Sequence, residues 1–198
     1  MARPKSATHE LQREAILDVA AQCFAQRSYV AASMNDIAAA CGTSKARLYH
    51  YYGSKEAILF DLLDRYTQHL LAIVGQTDAS AQRKNLDDRA ALHELIRNFL
   101  EQYETSATRH SALLGDTKFL GDVQRELILD RQRDVVSAMT RFLKRAYPQR
   151  ITATNQTAVT MMLFGMLNWT FTWLRPDGPM SYRDYAQEVV AMLERGLA

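Results

Sequence analysis

The chain has 198 residues, with 24 Lys+Arg against 22 Asp+Glu, 47% apolar side chains, eight glycines and four prolines. This is enough for one or two compact domains, and it excludes collagen-like, mucin-like, acidic-tail and disordered polymers. Cys23 and Cys41 are too few for a disulfide framework and fall inside apolar periodic stretches. They are therefore expected to be small interior residues of a reduced, cytoplasmic protein. The amino-terminal residues offer no apolar run for a signal peptide, which points the same way. The basic surplus sits in the first 56 residues, where Arg3, Lys5, Arg13, Arg27, Lys45, Arg47 and Lys55 outnumber five acids.

Apolar residues recur at spacings of three and four and no stretch alternates for long, so the chain reads as all-α. A first helix over about Thr8 to Gln26 presents Ile16, Ala20, Cys23 and Phe24. Ser33 opens a second, with Asp36 completing an S-x-x-D capping box, and Gly42 supplies the left-handed turn that stops it. A third short helix runs from Lys45 to about Tyr51. Gly53 and Ser54 then break the chain before a helix expected to reach about Val74, and Gly75 to Arg89, which lacks an apolar face, reads as a connecting loop. Further helices are expected at about Ala90 to Thr108, Ala112 to Leu120, Asp122 to Tyr147, Thr154 to Leu174 and Tyr182 to Leu197, the last with Ser181 and Asp184 as its capping box. Pro148 and the Arg175 to Pro179 turn are breaks.

Two short helices around a tight glycine turn form a helix-turn-helix. Ala38 is small enough for the close approach of the pair, and Ile37 and Leu48 are placed to close a small core with Phe24 and Ile16. The helix after the turn carries Lys45, Arg47, Tyr49, His50 and Tyr51, residue types that suit a helix lying in the major groove of double-stranded DNA rather than a buried one. Arg47 can present a bidentate fork to guanine, Ser44 and Lys45 suit base or phosphate contacts, and tyrosine hydroxyls suit phosphate oxygens. Ser33, Thr43 and Lys55 complete the candidate DNA-binding set. The run from Ile16 to Leu59, with Ser-Met-Asn-Asp-Ile-Ala, Gly-Thr-Ser-Lys, Leu-Tyr-His-Tyr-Tyr and Ser-Lys-Glu-Ala-Ile-Leu, resembles the DNA-binding domain of tetracycline-repressor (TetR) family transcriptional regulators. That resemblance implies a reading head over residues 1–54 and a helical domain over 55–198 that binds a small effector and dimerises through its last two helices, the homodimer binding a palindromic operator. It also implies Ser44 to Tyr51 as recognition helix, with Tyr49, Tyr51 and Lys55 as phosphate contacts. The sequence departs from the family at Thr43, where an aliphatic residue is frequent, and at Arg47, where a small hydroxyl is frequent.

Ala158 to Leu174 is uncharged, but its 17 residues fall short of the roughly 20 that a bilayer span needs. A helix apolar all round is instead buried, here between its own domain and a partner subunit. Met162, Met166, Trp169 and Trp173 make one stripe, and Phe164, Leu167, Phe171 and Leu174 another, so that one can line a pocket while the other meets the second subunit. With Phe99 and Tyr103 from the helix after Ala90, the first stripe forms the candidate effector site. The run Asn168 to Gly178 resembles the corresponding stretch of TetR-family members that answer to acyl-CoA thioesters. Independently, residues 130–150 carry six Lys/Arg against two acids, either a solvated face or a basic helix for the phosphates of coenzyme A; Arg141 and Arg145 within it, and Arg175 after the uncharged stretch, are the candidate cations.

Five histidines show no pair at ligand spacing, and no phosphate loop or serine motif appears. Neither enzyme activity, metal nor cofactor is expected. An efflux-type repressor answering to drug-like compounds, and a DNA-binding adaptor without effector, remain the alternatives.

Overall fold

The computed structural model describes residues 4–197, with side chains from residue 8 onward. Arg3 and Lys5 of the basic surplus, and the amino-terminal stretch examined for a signal peptide, lie outside the described side chains. Among the described residues all regular structure is helical.

Helix α1 (Pro4–Arg27) buries Ile16, Leu17, Ala20, Ala21 and Phe24 along one side. Ser28, at φ 66°, ends it in a left-handed conformation. Helix α2 (Met34–Ala40) begins as expected: Ser33 Oγ accepts from the Asp36 N–H at 3.2 Å while the Ser33 N–H donates to the Asp36 carboxylate at 2.9 Å. It ends on Gly42, at φ 62°, with the Gly42 N–H on the Ala39 carbonyl and the Thr43 N–H on that of Ala38. These two bonds are the reciprocal pair of a Schellman closure, and a side chain at Gly42 would strain it. Helix α3 (Lys45–Tyr51) follows, with Leu48 fully buried beside Ile37 and Ala38 in the interior. Cys23 is buried as expected, but Cys41 is only half-buried because it occupies the turn.

Helix α4 (Lys55–Lys84) runs ten residues past the expected end, so Gly75 to Lys84 is helix rather than loop. Ile73, Val74, Thr77 and Ala81 continue the buried side, and Asn98 donates to the Thr77 hydroxyl at 2.9 Å. Packing thus overrides a polar composition and one glycine. The true stop is Asn85, at φ 51°, whose successor Leu86 donates to the Ala81 carbonyl in a second Schellman closure. Helix α5 (Asp88–Thr105) starts on an Asp87 cap. The single helix expected over Ala112 to Leu120 is in fact α6 (Ala107–Gly115) and a 3-10 turn over Thr117–Phe119. Helix α7 (Asp122–Ala146) agrees with expectation.

The expected Thr154 to Leu174 helix is broken into α8 (Gln156–Asn168) and α9 (Thr170–Trp173). Side chains take the carbonyls that would continue it: Tyr185 donates to Met166 O at 2.9 Å, and Thr170 Oγ1 to Leu167 O at 2.8 Å. Helix α10 (Tyr182–Leu197) closes the chain behind its Ser181/Asp184 cap. No described helix is long and apolar enough to cross a membrane.

The chain packs as two compact units, one of residues Met1–Tyr66 with Thr108–Ile128, the other of Thr67–Ala107 with Leu129–Ala198. The first thus contains more than the three-helix head. The second is built on α5, α7, α8 and α10, with Phe99, Tyr103, Met139, Phe142, Phe164, Leu167 and Val189 in its interior.

In the first unit a polar lattice lies beside the apolar core of Leu17, Phe24, Leu59, Leu62 and Tyr66. Arg65 pairs with Glu10, Glu14 and Asp61, and Arg109 of α6 with Glu14 (2.9 Å) and Asp18 (2.7 Å). Asp61 also accepts from Arg13 at 2.7 Å and from Tyr52 Oη at 2.6 Å. Burial alone would raise the Asp61 pKa, but hydrogen bonds from Tyr52 and Arg65, with the charges of Arg65 and Arg13, outweigh it and hold the carboxyl low. Glu14 is lowered in the same way, against burial, by Arg109 and Arg65. A depressed folded pKa contributes stability that is complete above the unfolded carboxylate values near 4 and is lost as pH falls through the folded ones. Urea unfolding of the protein should therefore lose stability progressively as the pH falls below about 4. Asp61→Asn should be less stable at pH 7 and show a shallower acid loss; an unaltered acid profile in that variant would remove Asp61 as its source.

Candidate DNA-binding surface

Because Leu48 anchors α3 inward, Lys45, Arg47, Tyr49 and His50 are left on its exposed side. The Lys45 ammonium lies 5.8 Å from the centre of the Tyr49 ring. These four side chains form one cationic and aromatic surface, the composition that meets phosphates and base edges in a major groove.

Other members of the expected set have local work. The Ser44 hydroxyl caps α3 by accepting from the Arg47 N–H at 3.2 Å. The Ser33 hydroxyl donates to Asp36 at 2.6 Å, and Arg27 holds the other oxygen of that carboxylate at 2.7 Å. Thr43 is half-buried and closes the turn through its backbone. The Tyr51 hydroxyl donates to Gln12 Oε1 at 3.2 Å, its ring stacked on His9 at 4.8 Å. Arg47 Nη2 donates to the same oxygen at 3.1 Å. Gln12 and His9 carry no sequence signal of this, because only the fold brings that turn of α1 beside α3.

Lys55 is turned to the α1–α2 loop. Its ammonium donates to the carbonyls of Tyr29 at 2.6 Å, Ala32 at 2.7 Å and Val30 at 3.4 Å, and lies 4.3 Å from the centre of the Tyr29 ring. An ammonium has three donors, and all of them have partners in this loop.

The expected effector residues do not converge on one cavity. Phe99 and Tyr103 are buried on α5, with the Tyr103 hydroxyl on Asn168 Oδ1 at 3.1 Å. Met162 and Met166 line an open groove of about 630 Å³ between α8 and α10. Trp169, at 63% exposure, and Trp173, at 49%, face outward. Arg145 is paired with Asp78 (2.9 Å) and Asp88 (3.3 Å), whereas Arg141 and Arg175 are exposed.

Residues 16–62 match the family model for bacterial regulatory proteins of the tetR family, and residues 85–197 that for the tetracyclin repressor-like C-terminal domain. The chain belongs to the TetR family. A TetR-family transcriptional regulator from Bordetella parapertussis 12822 is 34% identical, with 91% of this chain and 92% of that one aligned and a TM-score of 0.84. AibR, solved in complex with isovaleryl coenzyme A and operator DNA, is 25% identical, with 91% and 97% aligned and a TM-score of 0.77. The transcriptional repressor KstR2 of Rhodococcus jostii (strain RHA1) is 34% identical over 102 residues, which are 52% of this chain and 47% of that protein. The match thus spans about half the length of that curated relative. Members of the TetR family are DNA-binding transcription regulators, not enzymes.

Removing the Lys55 ammonium strips charged donors from partly buried carbonyls. Lys55→Ala should destabilise the DNA-free regulator by about 1–3 kcal/mol in chemical denaturation. Unchanged stability, with affinity lost equally for all DNA and a flatter salt dependence, would return Lys55 to the phosphate role.

Proposed function

We propose that the protein is a homodimeric repressor, released from a palindromic operator by a small effector of the acyl-CoA thioester class. The observation that carries the DNA-binding half is the exposure of Lys45, Arg47, Tyr49 and His50 on a helix anchored by Leu48. Ser44, Thr43 and Ser33 hold the turn that presents it, and Tyr51 steadies its end. Two such helices in a two-fold dimer would read half-sites about one helical turn, roughly 34 Å, or a multiple of it apart. Dimerisation is supported by the apolar face of α8 and α10, where Met162 is 69% exposed and Met192 61%. An exposed apolar patch of this kind marks an interaction site.

The effector half rests on the Asn168 to Gly178 run and on the likeness to AibR, whose complex holds isovaleryl coenzyme A and operator DNA. Exposed Arg141 and Arg175 offer guanidinium groups for the phosphates of such a ligand. Phe99 and Tyr103 mark the interior side of α8 as the place for its acyl part, and Arg145 reaches it only by leaving Asp78 and Asp88, whereas Met162, Met166, Trp169 and Trp173 lie on the outward face given above to the second copy. Helix α4 contributes to both compact units and is the lever through which a ligand would act on the head. The ligand must bind the DNA-incompetent arrangement more tightly, and operator DNA must weaken the ligand by the same factor.

Arg47→Ala should cost about 1–3 kcal/mol on the cognate operator and relax preference at one position of each half-site. Equal losses on cognate and scrambled duplexes would make Arg47 a phosphate contact. Titrating acyl-CoA thioesters of varied chain against the operator complex should displace DNA, while the free acids should not. Displacement by a cationic drug-like compound alone would replace this reading with an efflux-type repressor, and no displacement by any metabolite would favour an adaptor.

A further inference from the structure

A guanidinium that reads a base must be aimed before it arrives, because arginine otherwise loses its rotamer freedom on binding. Arg47 is exposed on α3, and among the described residues no carboxylate pairs with it. Its one side-chain partner is Gln12, half-buried on α1, whose single Oε1 accepts from Arg47 Nη2 at 3.1 Å and from the Tyr51 hydroxyl at 3.2 Å. Arg47 and Tyr51 stand one helical turn apart, as do Gln12 and His9, and His9 stacks on the Tyr51 ring. Below this junction lies a cleft of about 90 Å³ floored by Ile16, Val19 and Leu48, with the Arg47 stem along its wall. The contact occupies one of five guanidinium N–H donors and leaves the others for a ligand. An amide oxygen is suited to this task, since it orients the cation without neutralising it and places no negative charge beside phosphates.

We propose that Gln12 is a positioning residue for operator specificity: it touches no base itself, but aims Arg47 at one and ties Tyr51 into the same junction. The proposal rests on the base-reading role of Arg47 argued above.

The test uses the full chain and an operator selected by it from a random duplex pool. Affinity is measured for that duplex and for duplexes substituted at each position, in the wild type, Gln12→Ala, Arg47→Ala, the double variant and Gln12→Glu. Gln12→Ala should lower discrimination about five- to tenfold at the position where Arg47→Ala abolishes it, and change nothing further in the Arg47→Ala background. Gln12→Glu retains an acceptor oxygen and should keep the base preference while weakening all duplexes alike. Discrimination retained in Gln12→Ala but lost in Arg47→Ala overturns the positioning role and leaves the base reading intact. A further loss in the double variant overturns it also, because Gln12 would then act on DNA or on the fold directly. Should Arg47→Ala itself leave discrimination unchanged, the base reading fails and the inference falls with it. Thermal unfolding of each DNA-free variant separates a misfolded head from a misaimed one.

Discussion

Glu14 is held by two guanidinium groups, Arg65 from α4 and Arg109 from α6, and this shared carboxylate makes α1 the fixed reference of the first unit. Its apolar side, from Ile16 through Phe24, carries the helix-turn-helix. Glu10, Glu14 and Asp18 recur at four-residue spacing along another side, facing Arg65 and Arg109. Exposed single ion pairs contribute little, but here each arginine spans two or three acceptors and is partly shielded, with the Arg109 side chain only 14% exposed. Because the same helix offers Gln12 to α3, a displacement of α1 would reach Arg47 and Tyr51 without passing through the small apolar core between α2 and α3.

The same lattice changes the meaning of the charge count. A basic excess in the first 56 residues points toward DNA, yet Arg13 is committed to Asp61, Arg27 to Asp36 and Lys55 to the α1–α2 loop. The cations left to face outward on α3 are Lys45 and Arg47. The electrostatic attraction for a polyanion therefore comes from which cations keep donors uncommitted within the fold, a property that composition cannot report.

Those features that depend on neighbours in the chain were legible in the sequence. The Ser33/Asp36 box, the Gly42 closure and the limits of α3 follow from residues within five positions of each other, and all three appear as expected. What depends on distant partners was not legible. The extra turns of α4 exist because Thr77 and Ala81 are buried, and the α8–α9 break because Tyr185 reaches a backbone carbonyl nineteen residues away. At the head, the sequence identified which side chains α3 presents but not how they are held. Lys55 and Tyr51 could be assigned a phosphate from their chemistry alone, whereas the loop carbonyls and Gln12 that accept their hydrogen bonds come from α1 and the segment after it.

The second unit shows the same division in its apolar residues. A helix without charges can be buried on every side only if something covers every side, and α8 inside one chain is covered on one: Leu163, Phe164 and Leu167 are interior, while Met161 and Met162 are open. Composition could not say which stripe faces in. Of the methionines in this unit, Met139 is the one fully enclosed, buried on α7 with Ala138, Phe142 and Leu143. Flexible thioethers at the surface serve a different end, since they conform to whatever apolar body is laid against them. An effector bound from the Phe99 and Tyr103 side would thus press on the interior face of α8, and the Met162 and Trp169 face would feel it only through the rigid helix between, which is the side where a second copy would lie.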